Sequence, residues 1–207
     1  MNSSPAASPA RYRQPQRHTL MTLTPTHIDF ENFCRQLIGL SITKVEYSEI
    51  NYEPTSAKPY YPTQFQNLHS VDFSIFFHTD KKKLIEIYWD GHFYQYGIGI
   101  KIDKQSDFSD FITWDVSESD LWKKFIGTGI TDIKVSWETV TTTEQKSGKK
   151  ESFTYPQDIS LMFTNEKKVF ISAAGFLDEG DNEVCGMLDN LTVTDNEDLA
   201  RRVKMIK

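Results

Sequence analysis

Alternation of apolar and polar positions is the clearest pattern in the chain. Val45 and Tyr47 face one way and Lys44, Glu46 and Ser48 the other, the period of a half-buried strand. Ile133, Val135 and Trp137 alternate in the same manner against Asp132, Lys134 and Ser136. Phe73, Ile75 and Phe77 lead through a lysine-rich turn into Ile85, Ile87 and Trp89, which reads as a hairpin. Ile159, Leu161 and Phe163 likewise lead through Asn165-Glu166-Lys167 into Val169 and Ile171. A further strand carries Tyr94, Tyr96, Ile98, Ile100 and Ile102 on one face, with Gly97 and Gly99 on the other, where a bend or a close approach by another chain is expected. Short strands are predicted at Ile112–Trp114 and Leu191–Val193.

These patterns recur in order. Phe33-Cys34-Arg35-Gln36-Leu37-Ile38-Gly39 aligns with Leu121-Trp122-Lys123-Lys124-Phe125-Ile126-Gly127 at an offset of 88, and Ser41–Val45 aligns with Gly129–Ile133 at the same offset. Asp72–Phe77 matches Asp158–Phe163 at 86, and Ile85 and Ile87 match Val169 and Ile171 at 84. Three matches in one order predict a repeated unit. Each copy opens with a helix bearing an apolar pair at i, i+4 (Phe33/Leu37 and Leu121/Phe125), closed by Gly39 or Gly127. Thr26/Asp29, Ser117/Asp120 and Asp195/Asp198 place a capping residue three before an acid at three helix starts. Residues 51–69 and about 139–155 read as long connections. The predicted fold class is therefore α+β, mainly antiparallel sheet with about three helices. Residues 1–26 are expected to form a disordered extension, 27–116 the first unit and 117–207 the second, packed with the first as one globular body.

Composition refines this picture. Of 207 residues, 38% are hydrophobic and 13% aromatic, enough for a core rich in strand-forming side chains. The net charge is −6, and residues 1–28 carry Arg11, Arg13 and Arg17 with no acid. The remainder, with 20 basic against 29 acidic residues, argues against general phosphate-backbone binding and for steering towards a basic partner. Cys34 and Cys185 form no CxxC motif and read as reduced thiols, consistent with a cytoplasmic protein. No apolar run reaches membrane-spanning length, and no secretory signal core is visible near the N-terminus.

Candidate chemistry is sparse. The five histidines have no zinc-protease spacing, and phosphate-loop and nucleophile-elbow motifs are absent, so neither catalytic residues, metal nor cofactor are expected. Trp89-Asp90-Gly91-His92, followed by Tyr94, joins an acid to a titratable ring and marks a candidate ligand pocket, while Asp-Gly also reads as a plain hairpin turn. Residues 169–200 hold eight acids and no lysine or arginine, centred on Asp178, Glu179, Asp181 and Glu183. That group reads as a solvated loop or as a docking edge for a basic protein. Tyr52, Tyr60 and Tyr61 stand in a proline-rich loop that serves as sheet cover or as a rigid binding surface.

The helix, the Ile-Gly-x-x-Ile-Thr turn at 38–43 and 126–131, the Tyr155–Phe163 strand and the Val169–Ser172 strand resemble, in layout, small bacterial immunity proteins encoded beside polymorphic toxins. The resemblance covers most of residues 27–207 and carries over no functional residue. It implies an acidic cytoplasmic protein that binds one cognate toxin and blocks it. The expected function is thus a non-catalytic toxin inhibitor, with no nucleic-acid or membrane partner. A small-ligand protein or enzyme using Trp89, Asp90, His92 and Tyr94, and a structural protein that oligomerises through sheet edges, are the competing readings.

Overall fold

A computed structural model describes residues 23–104, 110–144, 147–178 and 180–207. Helix α1 (Pro25–Cys34) runs into a single 3-10 turn (Arg35–Leu37). Six strands follow: β1 (Ile42–Ile50), β2 (Leu68–Val71), β3 (Phe73–Thr79), β4 (Leu84–Asp90), β5 (Gly97–Ile102) and β6 (Phe111–Asp115). Four more complete the sheets, β7 (Ile130–Thr143), β8 (Lys150–Phe163), β9 (Lys168–Gly175) and β10 (Cys185–Thr194), before helix α2 (Glu197–Arg202). The chain is mainly antiparallel sheet. One five-stranded sheet has the order β5-β4-β3-β1-β6 and the other β2-β10-β9-β8-β7.

The alternating positions explain how the sheets meet. Val45, Tyr47, Ile75, Phe77, Ile85 and Ile87 of the first sheet are fully buried, as are Ile159, Leu161, Val169, Ile171, Leu191 and Val193 of the second. They form one continuous core, so the two inner faces close on one another as a sandwich. Helix α2 covers the outer face of the second sheet, where Leu199, Ala200 and Val203 pack with Phe170 and Ala174.

Several expectations change. The helix expected over residues 117–127 is a run of turns, leaving two α-helices among the described residues. Its amides bond mostly three residues back: Trp122 N–H to Ser119 O, Phe125 N–H to Trp122 O and Thr128 N–H to Phe125 O. The apolar residues Leu121, Trp122 and Phe125 are still fully buried, so packing is satisfied without a helical ladder. The Ser117 hydroxyl, expected as a cap, instead accepts the Val45 N–H at 3.0 Å. Helix α1 begins at Pro25, inside the expected extension, whose residues 1–22 lie outside the described residues. Its cap is Thr24, whose N–H donates to His27 Nδ1 at 3.0 Å, and α2 is capped by Asn196, whose Oδ1 accepts the Leu199 N–H. The connection expected near 139–155 is largely strand: β7 and β8 pair from Ile130/Phe163 out to Thr143/Lys150. The strand expected from Tyr94 begins only at Gly97. The close approach at its glycines comes from within the chain, with Pro156 against Gly97 and the Tyr88 ring and Asp90 against Gly99.

The spans 27–116 and 117–207 are interleaved, because β2 from the first belongs to the sheet of the second. Asp72 alone separates β2 from β3 and marks where the chain passes between sheets. Where β1 and β7 begin, the backbone is joined reciprocally. Gly39 N–H donates to Ile130 O and Gly127 N–H to Ile42 O; Ile42 N–H donates to Thr128 O and Ile130 N–H to Leu40 O. A bridge between Ser41 and Gly129 lies at the centre.

Candidate functional site

The corner at Asp72 opens into a recess of about 370 Å³. One wall is the loop after β1, carrying Tyr52 and Tyr60, and another is the turn after β9, carrying Leu177 and Asp178. Asp72 and Asp189 also line it, with Thr63, Gln64, Ser70 and Asn190, Asp189 coming from the irregular part of β10 where register shifts between Gly186 and Leu191. Three carboxylates thus line the recess, and no lysine or arginine does so among the described residues.

Local bonding holds these walls. Tyr60 N–H donates to Glu49 Oε2 at 3.0 Å, anchoring the tyrosine loop to the end of β1. Glu49 is fully buried, and burial pushes its carboxyl up to about 7. The rings of Tyr52 and Tyr60 meet edge-on, 5.7 Å apart. The Tyr52 hydroxyl donates to Asp72, and this bond together with burial raises the Tyr52 phenol to about 12. Burial also raises the Asp72 carboxyl, with a further push from the negative charge of Asp189. On the far wall, Asp178 N–H donates to Asp181 Oδ2 at 3.0 Å, and Gln64 Nε2 donates to Asp181 O.

The sequence-predicted residues divide accordingly. Tyr52, Tyr60 and Asp178 come together at the recess. Asp181 shapes the turn, Glu183 pairs with Lys204 at 2.5 Å, and Glu179 lies outside the described residues. Tyr61 turns inward, its ring 5.0 Å from Tyr47 and 5.1 Å from His69. Asp72 and Glu49 were not singled out in the sequence, and Asp189 was only one of eight acids there.

The second candidate group lies in the β4–β5 turn, away from the recess lining. His92 N–H donates to Asp90 Oδ1 at 3.2 Å, the bond of an Asx turn, and His92 is exposed. Trp89 packs edge-on against Phe73 and Tyr96, and Tyr94 stacks on Phe153 at 4.5 Å. Between them Phe93 reaches over to Trp137, 5.0 Å away, and to Phe30 on α1.

A third polar group crosses the core. Trp122 Nε1 donates to the Tyr47 hydroxyl at 2.6 Å, which directs the Tyr47 proton to His69 Nδ1, 2.9 Å away. Burial lowers the His69 pKa to about 4, so the ring is neutral and its proton sits on Nε2.

No protein-family model matches the chain, and neither a curated protein nor a solved structure matches it. Among the described residues, no three His, Cys, Asp or Glu side chains gather as a metal-binding set, and no helix is long and apolar enough to cross a membrane. Both cysteines are free; Cys34 is fully buried and its thiol is pushed up to about 12, which suppresses the reactive thiolate.

Proposed function

We propose that this chain is a non-catalytic protein-binding module whose partner meets the recess between the Tyr52–Tyr60 loop and the Leu177–Asp178 turn. One observation carries the reading: the tyrosine loop and the acidic turn, more than 100 residues apart in sequence, line the same cavity. Rigid tyrosines supply contact area at low entropic cost, and unopposed carboxylates select a basic surface. The role that accounts for this combination is that of an immunity or inhibitor protein, occluding a cognate bacterial toxin in the cytoplasm. A stable contact of this kind covers about 800 Å² on each partner, so the recess would be its centre and the surrounding loops its rim. The acidic body disfavours nucleic acid as the partner.

The proposal extends to the architecture, which we read as one unit used twice. The hydrogen bonds across Ser41 and Gly129 exchange under the 88-residue offset, each bond mapping onto its reciprocal. Lys82 and Glu166, at an offset of 84, share a positive φ in equivalent hairpin turns.

The test is recovery of the tagged chain from its native cell at low and high salt, with mass spectrometry of what accompanies it. A basic protein recovered stoichiometrically, released as salt rises and inhibited by the purified chain, is the expected result. A recovered partner whose activity the chain leaves unchanged would overturn the inhibitor role.

A further inference from the structure

We infer that the recess receives a guanidinium group, presented as an arginine side chain by the protein partner. The inference rests on the protein-binding reading above and adds the chemistry of the residue that fills the cavity. The most exposed large hydrophobic side chains among the described residues, Leu177 (63%) and Tyr52 (60%), both line this recess. Two such side chains at the rim of one cavity mark a surface that gains by being covered. Asp72 and Asp189 line the same recess, the negative charge of Asp189 adds to the rise of the Asp72 carboxyl, and no lysine or arginine is among the lining residues. Glu197 pairs with Lys168 and Arg201 and Glu183 with Lys204, whereas Asp72, Asp178 and Asp189, like Asp29, Asp90 and Asp132 on other parts of the chain, form no ion pair among the described residues. What sets the recess apart is that three carboxylates without an ion pair share one cavity with the exposed side chains of Leu177 and Tyr52.

A cation that enters here must lie along aromatic and aliphatic surface while reaching several acceptors. Guanidinium is planar, weakly hydrated and permanently charged; it stacks on rings and offers five donors in a fixed fork. The wall supplies ring surface from Tyr52, with Lys58 Nζ already 5.8 Å over the Tyr60 ring, and carboxylate acceptors from Asp72, Asp178 and Asp189. An ammonium offers three donors on a strongly hydrated point charge and uses that arrangement less completely.

The full chain, isotopically labelled, is titrated with the blocked tripeptide Gly-Arg-Gly and followed by amide NMR. Matched peptides carry lysine or citrulline, the neutral isostere of arginine, at the centre. Saturable shifts at Leu177, Asp178 and Asp189 are expected, with a dissociation constant on the order of 1 mM and at least about tenfold weaker binding of citrulline. Asp189→Asn, at an exposed position, is expected to keep the native spectrum and weaken the arginine peptide by about tenfold. The inference is overturned if citrulline or lysine binds as well as arginine, or if nothing shifts up to roughly 50 mM peptide. It is also overturned, with the binding-module reading left standing, if a captured partner holds Asp189→Asn and parent equally well. Arginine binding without any protein partner would keep the site and remove the protein-binding reading.

Discussion

Gly39 and Gly127 perform the same service for each other's strand: each donates its N–H across the join between the sheets, to Ile130 O at 2.8 Å and to Ile42 O at 2.7 Å. Both have positive φ, +82° and +78°, and a Cβ added to either meets nothing within 4 Å. Substitution by alanine therefore tests backbone conformation alone. Gly39→Ala and Gly127→Ala should each cost about 1 kcal/mol, lowering the melting midpoint by a few degrees. Markedly unequal losses would count against treating the two positions as equivalent.

Tyr47→Phe removes the acceptor for a fully buried indole N–H. An orphaned buried donor costs about 1–3 kcal/mol, which urea unfolding would read directly. The same change frees His69 Nδ1. The His69 pKa is depressed from 6.5 to about 4, so its neutral form contributes stability that is complete above pH 6.5 and declines as pH falls towards 4. With the Tyr47 donor gone, histidine-detected NMR should place the His69 pKa higher than in the parent.

Glu49 has the opposite sign. Its carboxyl is raised from 4.5 to about 7, so the folded state binds the proton more tightly. The stability linked to that proton is present below pH 4.5 and lost as pH rises through 7. Glu49→Gln keeps an acceptor for Tyr60 and removes the buried charge. The variant should melt several degrees above the parent at pH 8 and gain nothing at pH 4. A parent-like melting point at pH 8 would show that the carboxylate is better solvated than its burial implies.

Ionisation of Tyr52 reports on the recess. Its phenol is raised to about 12 chiefly by the hydrogen bond to Asp72. Asp72→Asn removes the negative acceptor, and ring-labelled NMR should show Tyr52 titrating closer to 10. An unchanged titration would place the hydroxyl elsewhere.

Thiol labelling should separate the two cysteines. Cys34 is fully buried with its thiol near 12, whereas Cys185 is half-buried and raised less far by burial and by Asp181 and Glu183. In the native protein an aromatic disulfide reagent should modify Cys185 alone, and both in denaturant.

Strand positions were legible because their signal is local. Val45, between Lys44 and Glu46, and Ile159, between Asp158 and Ser160, alternate with polar neighbours and are fully buried. The β7–β8 extension was not legible, because Thr139, Thr141, Thr143 and Ser152 are exposed and the single apolar pair Val140 and Phe153 is too little to betray a strand. The helix expected after Ser117 failed because apolar spacing records burial, and Leu121, Trp122 and Phe125 achieve that burial in turns. The tyrosine loop and acidic turn each stood out in composition. Their meeting did not, since it depends on a one-residue crossing at Asp72 and a register shift before Leu191.

Strand β2 sits beside β10, with Thr194 Oγ1 bonded to Asn67 O across 127 residues of sequence. During synthesis β2 leaves the ribosome long before its neighbour exists. The first sheet can assemble early from β1, β3, β4, β5 and β6, yet Leu68 and Val71 then remain unburied until nearly the whole second half has emerged. Completion of the fold is therefore a late, long-range event, and a nascent chain stalled before β10 leaves the Leu68 and Val71 side chains uncovered for chaperones to hold.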